Sequence, residues 1–85
     1  MNRSERIRQI LTDAFQPEAL DVVDDSHKHA GHSGARPEGE THYTVVISAS
    51  SFEGLSRVAR QRAVMDVLKP EFETGLHALS IKASS

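Results

Sequence analysis

Apolar residues near the start of the chain recur with the spacing of one helix face. They stand at i, i+3, i+4, i+7 and i+8, and they are Ile7, Ile10, Leu11, Ala14 and Phe15. We therefore predict a first helix over residues 4–15. Asn2 and Glu5 resemble a capping pair at its start, and Pro17 disfavours helical geometry at the residue before it. Both ends of this helix thus have a local signal.

Two segments in the first half of the chain have the pattern of strands. Residues 20–25 are rich in β-branched side chains. Within residues 41–49, Tyr43, Val45 and Ile47 occupy every second position, which predicts a strand with one strongly apolar face. The loop that joins the two segments indicates an antiparallel hairpin.

A longer helical pattern follows in the second half of the chain. Its inward side chains are expected to be Val58, Ala59, Met65 and Leu68, and its solvent-facing ones Arg57, Arg60 and Arg62. Pro70 ends this helix or begins the next, and residues 70–74 have room for about one turn before Gly75. Residues 76–83 are predicted to form the last strand.

The order helix, strand, strand, helix, short helix, strand predicts an α+β fold. We expect a single αββααβ domain over residues 1–85, because a chain this short has material for one core only. The connection through the second helix should make the last strand parallel to the second, which gives a three-stranded mixed sheet with helices on one face. The predicted core consists of Ile7, Ile10, Leu11, Val45, Ile47, Val58, Leu79 and Ile81.

Composition and charge argue against several classes of function. A formal charge of -2 does not favour a dedicated nucleic-acid-binding module, which is usually basic. Because the chain has no cysteine, it forms no disulfide and offers no thiolate to a metal. Without an apolar run for a signal peptide or a membrane span, it is expected to be a soluble, cytoplasmic protein. The free protein is expected to be a monomer. It has no convincing catalytic triad, carboxylate pair or phosphate loop, so we do not expect an enzyme.

Three histidines lie in a polar loop with several glycines over residues 26–40, which we expect to be exposed and mobile. The segment SHKHAGH contains His27, His29 and His32. Neutral imidazole binds zinc, copper, nickel and iron. The spacing matches no rigid zinc signature, so a solvated loop whose histidines only titrate or form hydrogen bonds is the alternative. His42, at the start of the second strand, could approach the same region across the hairpin.

His77 stands at the other end of the sequence, near the start of the last predicted strand. It shares side-chain parity with Leu79 and Ile81, which are directed at the core. On this pattern alone, a half-buried histidine held by a backbone hydrogen bond is favoured over a metal ligand.

Longer stretches of the chain resemble the BolA family. In the order found in BolA-like proteins, these stretches are DDSHKHAGH, ETHY, SSFEGLSRVARQRAVMDVL and LHALSIKA, and together they cover most of the chain. Within them, FEGLSRVARQRAV and HALSI are the more specific part, because their match extends beyond what any helix or strand requires.

The resemblance implies a fold similar to a type II KH domain and a partnership with a monothiol glutaredoxin in iron-sulfur cluster handling or iron regulation. His77 matches the family's cluster-binding histidine just before the last strand. The second ligand, in the hairpin loop, maps best to His29, with His27 and His32 as close competitors, and His42 matches a family histidine near the site. Other members carry cysteine in that loop. Here, all thiolates of a shared 2Fe-2S cluster would come from glutaredoxin and glutathione.

The alternative function is that of a transcription regulator, because BolA-like proteins are also described as DNA-binding and the helices around Pro70 look like a helix-turn-helix. Three arginines of the second helix could meet phosphates, although an ordinary solvated helix face explains them as well. Glu71 and Glu73 put negative charge where a recognition surface should avoid it. The GXXG loop with which KH domains clamp nucleotides is also missing.

Overall fold

Three helices and three strands follow one another in the predicted order in the part of the chain that the structure describes. This computed structural model describes residues 2–25 and 41–85. Its elements are α1 (Arg3–Phe15), β1 (Ala19–Asp24), β2 (His42–Ser48), α2 (Arg57–Val67), α3 (Lys69–Glu73) and β3 (Ala78–Ser84), with a 3-10 turn at Ser50–Phe52. The α+β order is confirmed. The histidine loop over residues 26–40, its expected mobility and His29 lie outside the described residues.

The local signals at both ends of α1 are confirmed. The side-chain oxygen of Asn2 accepts a hydrogen bond from the N–H of Glu5 at 2.9 Å. At the other end, Gln16 adopts a left-handed conformation with φ 48°, and its N–H donates to the carbonyl of Thr12 at 2.9 Å. Pro17 follows directly, so the chain cannot continue as a helix.

The sheet has the order β1-β2-β3, with β2 in the centre. β1 pairs antiparallel with β2, and β3 pairs parallel with β2, as the hairpin and the helical crossover predict. Register places Leu20 opposite Ile47 and Tyr43 opposite Leu79. Every second residue of each strand therefore points to the same face, which the helices cover.

The core lies between this sheet face and the helices. Its buried apolar side chains are Ile7, Leu11, Tyr43, Val45, Ile47, Ala49, Phe52, Val64, Leu68 and Leu76. Of the predicted core, four members are confirmed as buried and Ile10, Leu79 and Ile81 pack against the core half-buried. Phe52, which the periodicity did not single out, is fully buried with its ring centroid 4.9 Å from that of Phe15.

The inward face of α2 differs from the prediction. Val64 and Leu68 are buried, whereas Val58 is 58% exposed and Met65 is 40% exposed. Placing Val58 in the core and Met65 inward was therefore wrong. A shift of one residue rotates a helical side chain by about 100°, and the packing of Val64 and Leu68 on the core sets the actual phase.

None of the helices in the described ranges has the length and apolar character that crossing a membrane requires.

Candidate metal centre

His42 and His77 lie side by side at one end of the sheet. Because β2 and β3 are parallel, their amino ends meet there, and His42 pairs in register with Ala78, the residue after His77. The carbonyl oxygen of Thr41 accepts hydrogen bonds from the N–H groups of His77 at 2.8 Å and of Ala78 at 3.0 Å. The two imidazole ring centroids are 5.4 Å apart, with an interplanar angle of 56°. Two of the three predicted metal ligands are thus neighbours.

The buried residue Thr41 contacts both histidines. Its carbonyl holds the backbone of His77, and its hydroxyl oxygen lies 2.9 Å from Nδ1 of His42, where the tautomer decides which group donates. Metal-bound histidines usually have their second ring nitrogen hydrogen-bonded, which fixes the orientation of the ring. Thr41 could not be predicted as part of the site, because nothing in its spacing distinguishes it from other strand residues.

The side chain of His77 is exposed, so the half-buried histidine expected from strand parity is not found. The physical reason is that β3 begins only at Ala78. Side-chain alternation holds within a strand and does not extend to the residue that leads into it. The backbone hydrogen bond expected for His77 is present, to Thr41. An exposed imidazole on a held backbone can reach a ligand outside the domain.

The turn that leads to His77 is closed by its own hydrogen bonds. Gly75 has a φ of 130°, a conformation that other residues rarely adopt, and so reverses the chain after α3. The N–H of Leu76 then donates to the carbonyl of Glu71 at 2.9 Å, while the Leu76 side chain is buried in the core. His77 is therefore one residue from an anchored position.

A buried ion pair ties the same turn to the start of α1. The Arg3 guanidinium donates to a carboxylate oxygen of Glu71 at 2.8 Å and to the side-chain and carbonyl oxygens of Thr74 at 3.0 and 2.9 Å. The Nε of Arg6 donates to both carboxylate oxygens of Glu71 at 3.2 Å. Arg3 and Glu71 are only 6% and 5% exposed. The segment before His77 is therefore anchored by charge as well as by apolar burial.

No local pattern of residues predicts this ion pair. Arg3 and Glu71 are 68 positions apart, and each looks like a solvated charge on a short amphipathic stretch. Glu71 had been expected to place negative charge on the surface of the short helix. That expectation was wrong, because its carboxylate is buried against two guanidinium groups.

A shallow depression of about 270 Å³ lies beside the histidines on the sheet. Asp25, His42, Thr44 and Ser80 line it together with their neighbours. The hydroxyl of Thr44 donates a short hydrogen bond of 2.5 Å to the carboxylate of Asp25, and the N–H of Asp25 donates to the carbonyl of His42 at 2.7 Å. These hydrogen bonds extend the contact between the two strands as far as Asp25, the residue before the histidine loop.

Within residues 2–25 and 41–85, no group of three or more histidine, cysteine or acidic side chains could hold a metal ion. His42 and His77 supply two imidazoles, and His29 belongs to the loop outside the described ranges. A closed four-coordinate site needs more donors than this pair. Any metal bound here must take further ligands from the loop or from another molecule.

Comparison with known protein families gives a match over residues 11–85 to the model of the BolA-like protein family. The chain belongs to the BolA-like family. The match covers both described histidines and the whole sheet, so the resemblance seen in the sequence is confirmed.

Individual relatives agree with this assignment. BOLA1 of the Arabidopsis thaliana chloroplast is 45% identical over 94% of this chain, which spans about half of that protein (51%). The solved structure of BolA1 from Arabidopsis thaliana superposes with a TM-score of 0.88 and 42% identity, covering 99% of this chain and 92% of that one. The DNA-binding transcriptional regulator BolA of Escherichia coli is 38% identical over 91% of this chain and 70% of its own length. These names describe BolA proteins and a regulator, not enzymes.

Proposed function

We propose that this BolA-like chain is a partner of a monothiol glutaredoxin and shares a 2Fe-2S cluster with it through histidine ligands. The observation that carries the proposal is the pair formed by His42 and His77, held 5.4 Å apart at the amino ends of two parallel strands. Thr41 holds the backbone of His77 and the ring of His42. A metal site shared by two proteins needs ligands that each protein already holds in position.

The spacing of the two rings supports joint ligation. With metal–nitrogen bonds of about 2 Å and tetrahedral angles, two imidazoles on one ion have ring centroids roughly 5 Å apart. Histidine pairs of this kind replace two thiolates on one iron in some 2Fe-2S proteins and raise the reduction potential of the cluster. His77 would be one ligand here, and His42 or the loop residue His29 the other.

The lack of thiolate ligands in this chain supports the involvement of a partner protein. This chain has no cysteine, and iron-sulfur clusters bind thiolate well. The remaining ligands would come from the glutaredoxin cysteine and from glutathione, as the family resemblance implies. The exposed His77 side chain can reach such a partner without unfolding any part of the described domain.

The test is reconstitution of the BolA-like chain with the monothiol glutaredoxin of the same organism, iron, sulfide and glutathione. We expect a stable heterocomplex whose visible absorption and circular dichroism differ from those of the glutaredoxin alone, because imidazole replaces thiolate at part of the cluster. The proposal fails if the two proteins do not associate, or if the mixture shows only the spectrum of the glutaredoxin homodimer.

A second candidate function, DNA binding, is favoured by the name of the Escherichia coli relative and by one structural observation. The burial of Glu71 against Arg3 and Arg6 removes a negative charge that would repel DNA from the region of α3. Against it, α3 has only five residues and its Phe72 packs on the core, so it is short for a recognition helix. Binding to duplex DNA that weakens steeply with salt would support this function, and binding that is absent at low salt would exclude it.

A further inference from the structure

Alternate residues of β3 turn their backbone groups toward β2. The N–H of Ala78 donates to the carbonyl of Thr41 at 3.0 Å, and the carbonyl of Ser84 accepts from the N–H of Ala49 at 3.0 Å. In a parallel ladder, a residue directs both its N–H and its C=O to the same neighbouring strand, and successive residues alternate. The even-numbered residues of β3 are therefore the ones that bond to β2.

The odd-numbered residues Leu79, Ile81 and Ala83 present their N–H and C=O groups on the opposite side of β3. The sheet order is β1-β2-β3, so within the described ranges no strand pairs with that side. A row of unpaired amide and carbonyl groups is a template for another extended chain. We call this side the outer edge of β3.

A basic depression of about 400 Å³ lies along this edge. Arg57, Arg60 and Lys82 contribute its charge, and Val46 and Ile81 contribute apolar surface. None of the described residues that line it is acidic. The Nε of Arg60 donates to the carbonyl of Phe52 at 3.2 Å, which holds this guanidinium in place beside the strand. The depression therefore combines fixed positive charge with an open strand edge.

We propose that the outer edge of β3 takes up an extended, acidic segment of a protein partner as a fourth strand. Its backbone pairs with Leu79, Ile81 and Ala83, and its carboxylates lie against Arg57, Arg60 and Lys82. Backbone pairing supplies affinity, and charge complementarity selects the acidic segment. The basic depression lies toward the carboxyl end of β3, although the paired edge begins at Leu79, two residues from His77. The docking does not depend on the proposed cluster.

A peptide fits this surface better than a nucleic acid does. A sugar–phosphate backbone can match the arginines, but it cannot form the alternating donor and acceptor ladder that the strand edge offers. Proteins that bind single strands also stack bases on aromatic side chains, and no described aromatic residue lines the depression.

A second copy of this chain fits less well than a separate partner. Among the described residues, Glu18, Asp21 and Asp24 form an acidic segment around β1. Pairing of that edge with β3 of another copy would be heterologous, and repetition of a non-closing contact gives an open filament. An acidic segment of a separate partner can pair with the outer edge of β3 without forming a filament.

The experiment uses an acetylated and amidated peptide of about eight residues, close to a normal strand length, that alternates glutamate with valine. Titrated into the ¹⁵N-labelled protein, it should shift the amide resonances of β3 and the start of α2. Hydrogen exchange should slow at Leu79, Ile81 and Ala83, while Ser80 and Lys82, which already bond to β2, should change little. The comparison peptide has lysine in place of glutamate and should bind at least about tenfold more weakly.

Two double charge-reversal variants with the same net charge as each other test the basic depression. Arg57→Glu with Lys82→Glu should weaken binding of the acidic peptide about tenfold or more. The matched control is Arg62→Glu with Lys69→Glu, two exposed residues outside the depression, and it should change binding less than about threefold. Arg60 is left in place because its contact with Phe52 is part of the fold.

Several outcomes would overturn this proposal. The first is peptide binding without slower exchange at the three outer-edge amides, and the second is equal binding of the lysine peptide. A third is a single-stranded oligonucleotide that perturbs the same residues while the acidic peptide does not. The fourth is growth of filaments with protein concentration in sedimentation, because the second copy would then be the occupant.

Discussion

At its amino end, β3 follows a turn that is anchored by Leu76 in the core and by the Arg3–Glu71 ion pair, and the His77 side chain reaches solvent. At its carboxyl end, the same strand lies beside Arg57 and Arg60, and its outer edge pairs with no strand of residues 2–25 and 41–85. The first end holds one side chain in a fixed position, as a ligand requires. The second end provides a surface that can accept an extended chain in more than one register.

The two ends of one short strand are thus suited to different kinds of binding. Ligation depends on the position of a single atom, so it gains from buried support that reaches far along the sequence. Docking by strand addition depends on a repeated backbone pattern, so it tolerates side-chain variation but responds to charge. Substitutions at the two ends should therefore affect different measurements.

The largest effect is expected for His77→Ala in the reconstituted glutaredoxin complex. Because His77 is held by Thr41 whereas His27, His29 and His32 can substitute for one another, its loss should abolish or strongly change the visible spectrum. His29→Ala should weaken the cluster signal, and His27→Ala should matter least. An unchanged spectrum and cluster lifetime in His77→Ala would remove this residue from the site. Binding of the acidic peptide should stay unchanged in the same variant.

His42→Ala sharpens the assignment of the second ligand. If His42 ligates, its substitution should change the spectrum as strongly as His29→Ala or more. If His42 only borders the site, the spectrum should remain while the cluster becomes less stable, because a side chain next to His77 is lost. Circular dichroism in the visible region and the rate of cluster loss separate these two results.

The second largest effect is expected on stability, when the Arg3–Glu71 ion pair that anchors the turn before β3 is broken. Glu71→Ala should lower the free energy of unfolding by about 3–5 kcal/mol, because it leaves the buried Arg3 without its carboxylate. Glu73→Ala, on the same short helix but exposed, should change it by less than about 0.5 kcal/mol. Urea unfolding followed by far-ultraviolet dichroism measures both. Equal stability of the two variants would show that the ion pair does not anchor the turn.

A smaller effect distinguishes the two faces of α2, which carries part of the basic depression. Val64→Ala should destabilise by about 2 kcal/mol because Val64 is fully buried. The same truncation at Val58, which is 58% exposed, should cost less than about 0.5 kcal/mol. Both variants lose the same atoms, so their unfolding midpoints can be compared directly. If Val58→Ala were the more destabilising of the two, Val58 would face the core, as the sequence pattern predicted.

The smallest effect is expected for Lys82→Ala. Lys82 is exposed, and one solvent-exposed ion pair contributes up to about 1 kcal/mol, so affinity for the acidic peptide should fall about fivefold at most. The cluster spectrum of the glutaredoxin complex should not change. A loss of the cluster in Lys82→Ala would mean that the two ends of β3 do not act independently.

The helices and strands, their order and their pairing could be predicted from local patterns in the sequence. The signals for them lie within a few residues of one another, so they can be recognised without knowledge of the fold. They are the spacing around Ile7 and Leu11, the cap at Asn2 and the alternation of Tyr43, Val45 and Ile47. His77, His42 and the family were also recognisable, because short stretches around them carry the resemblance. The loop ligand His29 stays a prediction.

Which of these residues contact one another depends on the packing of distant segments. The 5.4 Å approach of His42 and His77 follows from the parallel register of β2 and β3, and the Arg3–Glu71 pair joins residues 68 positions apart. The phase of α2, wrong at Val58, was set by packing of Val64 and Leu68 on the core. Such contacts have no local periodicity, because the energy that selects them is gained only when distant segments bury one another.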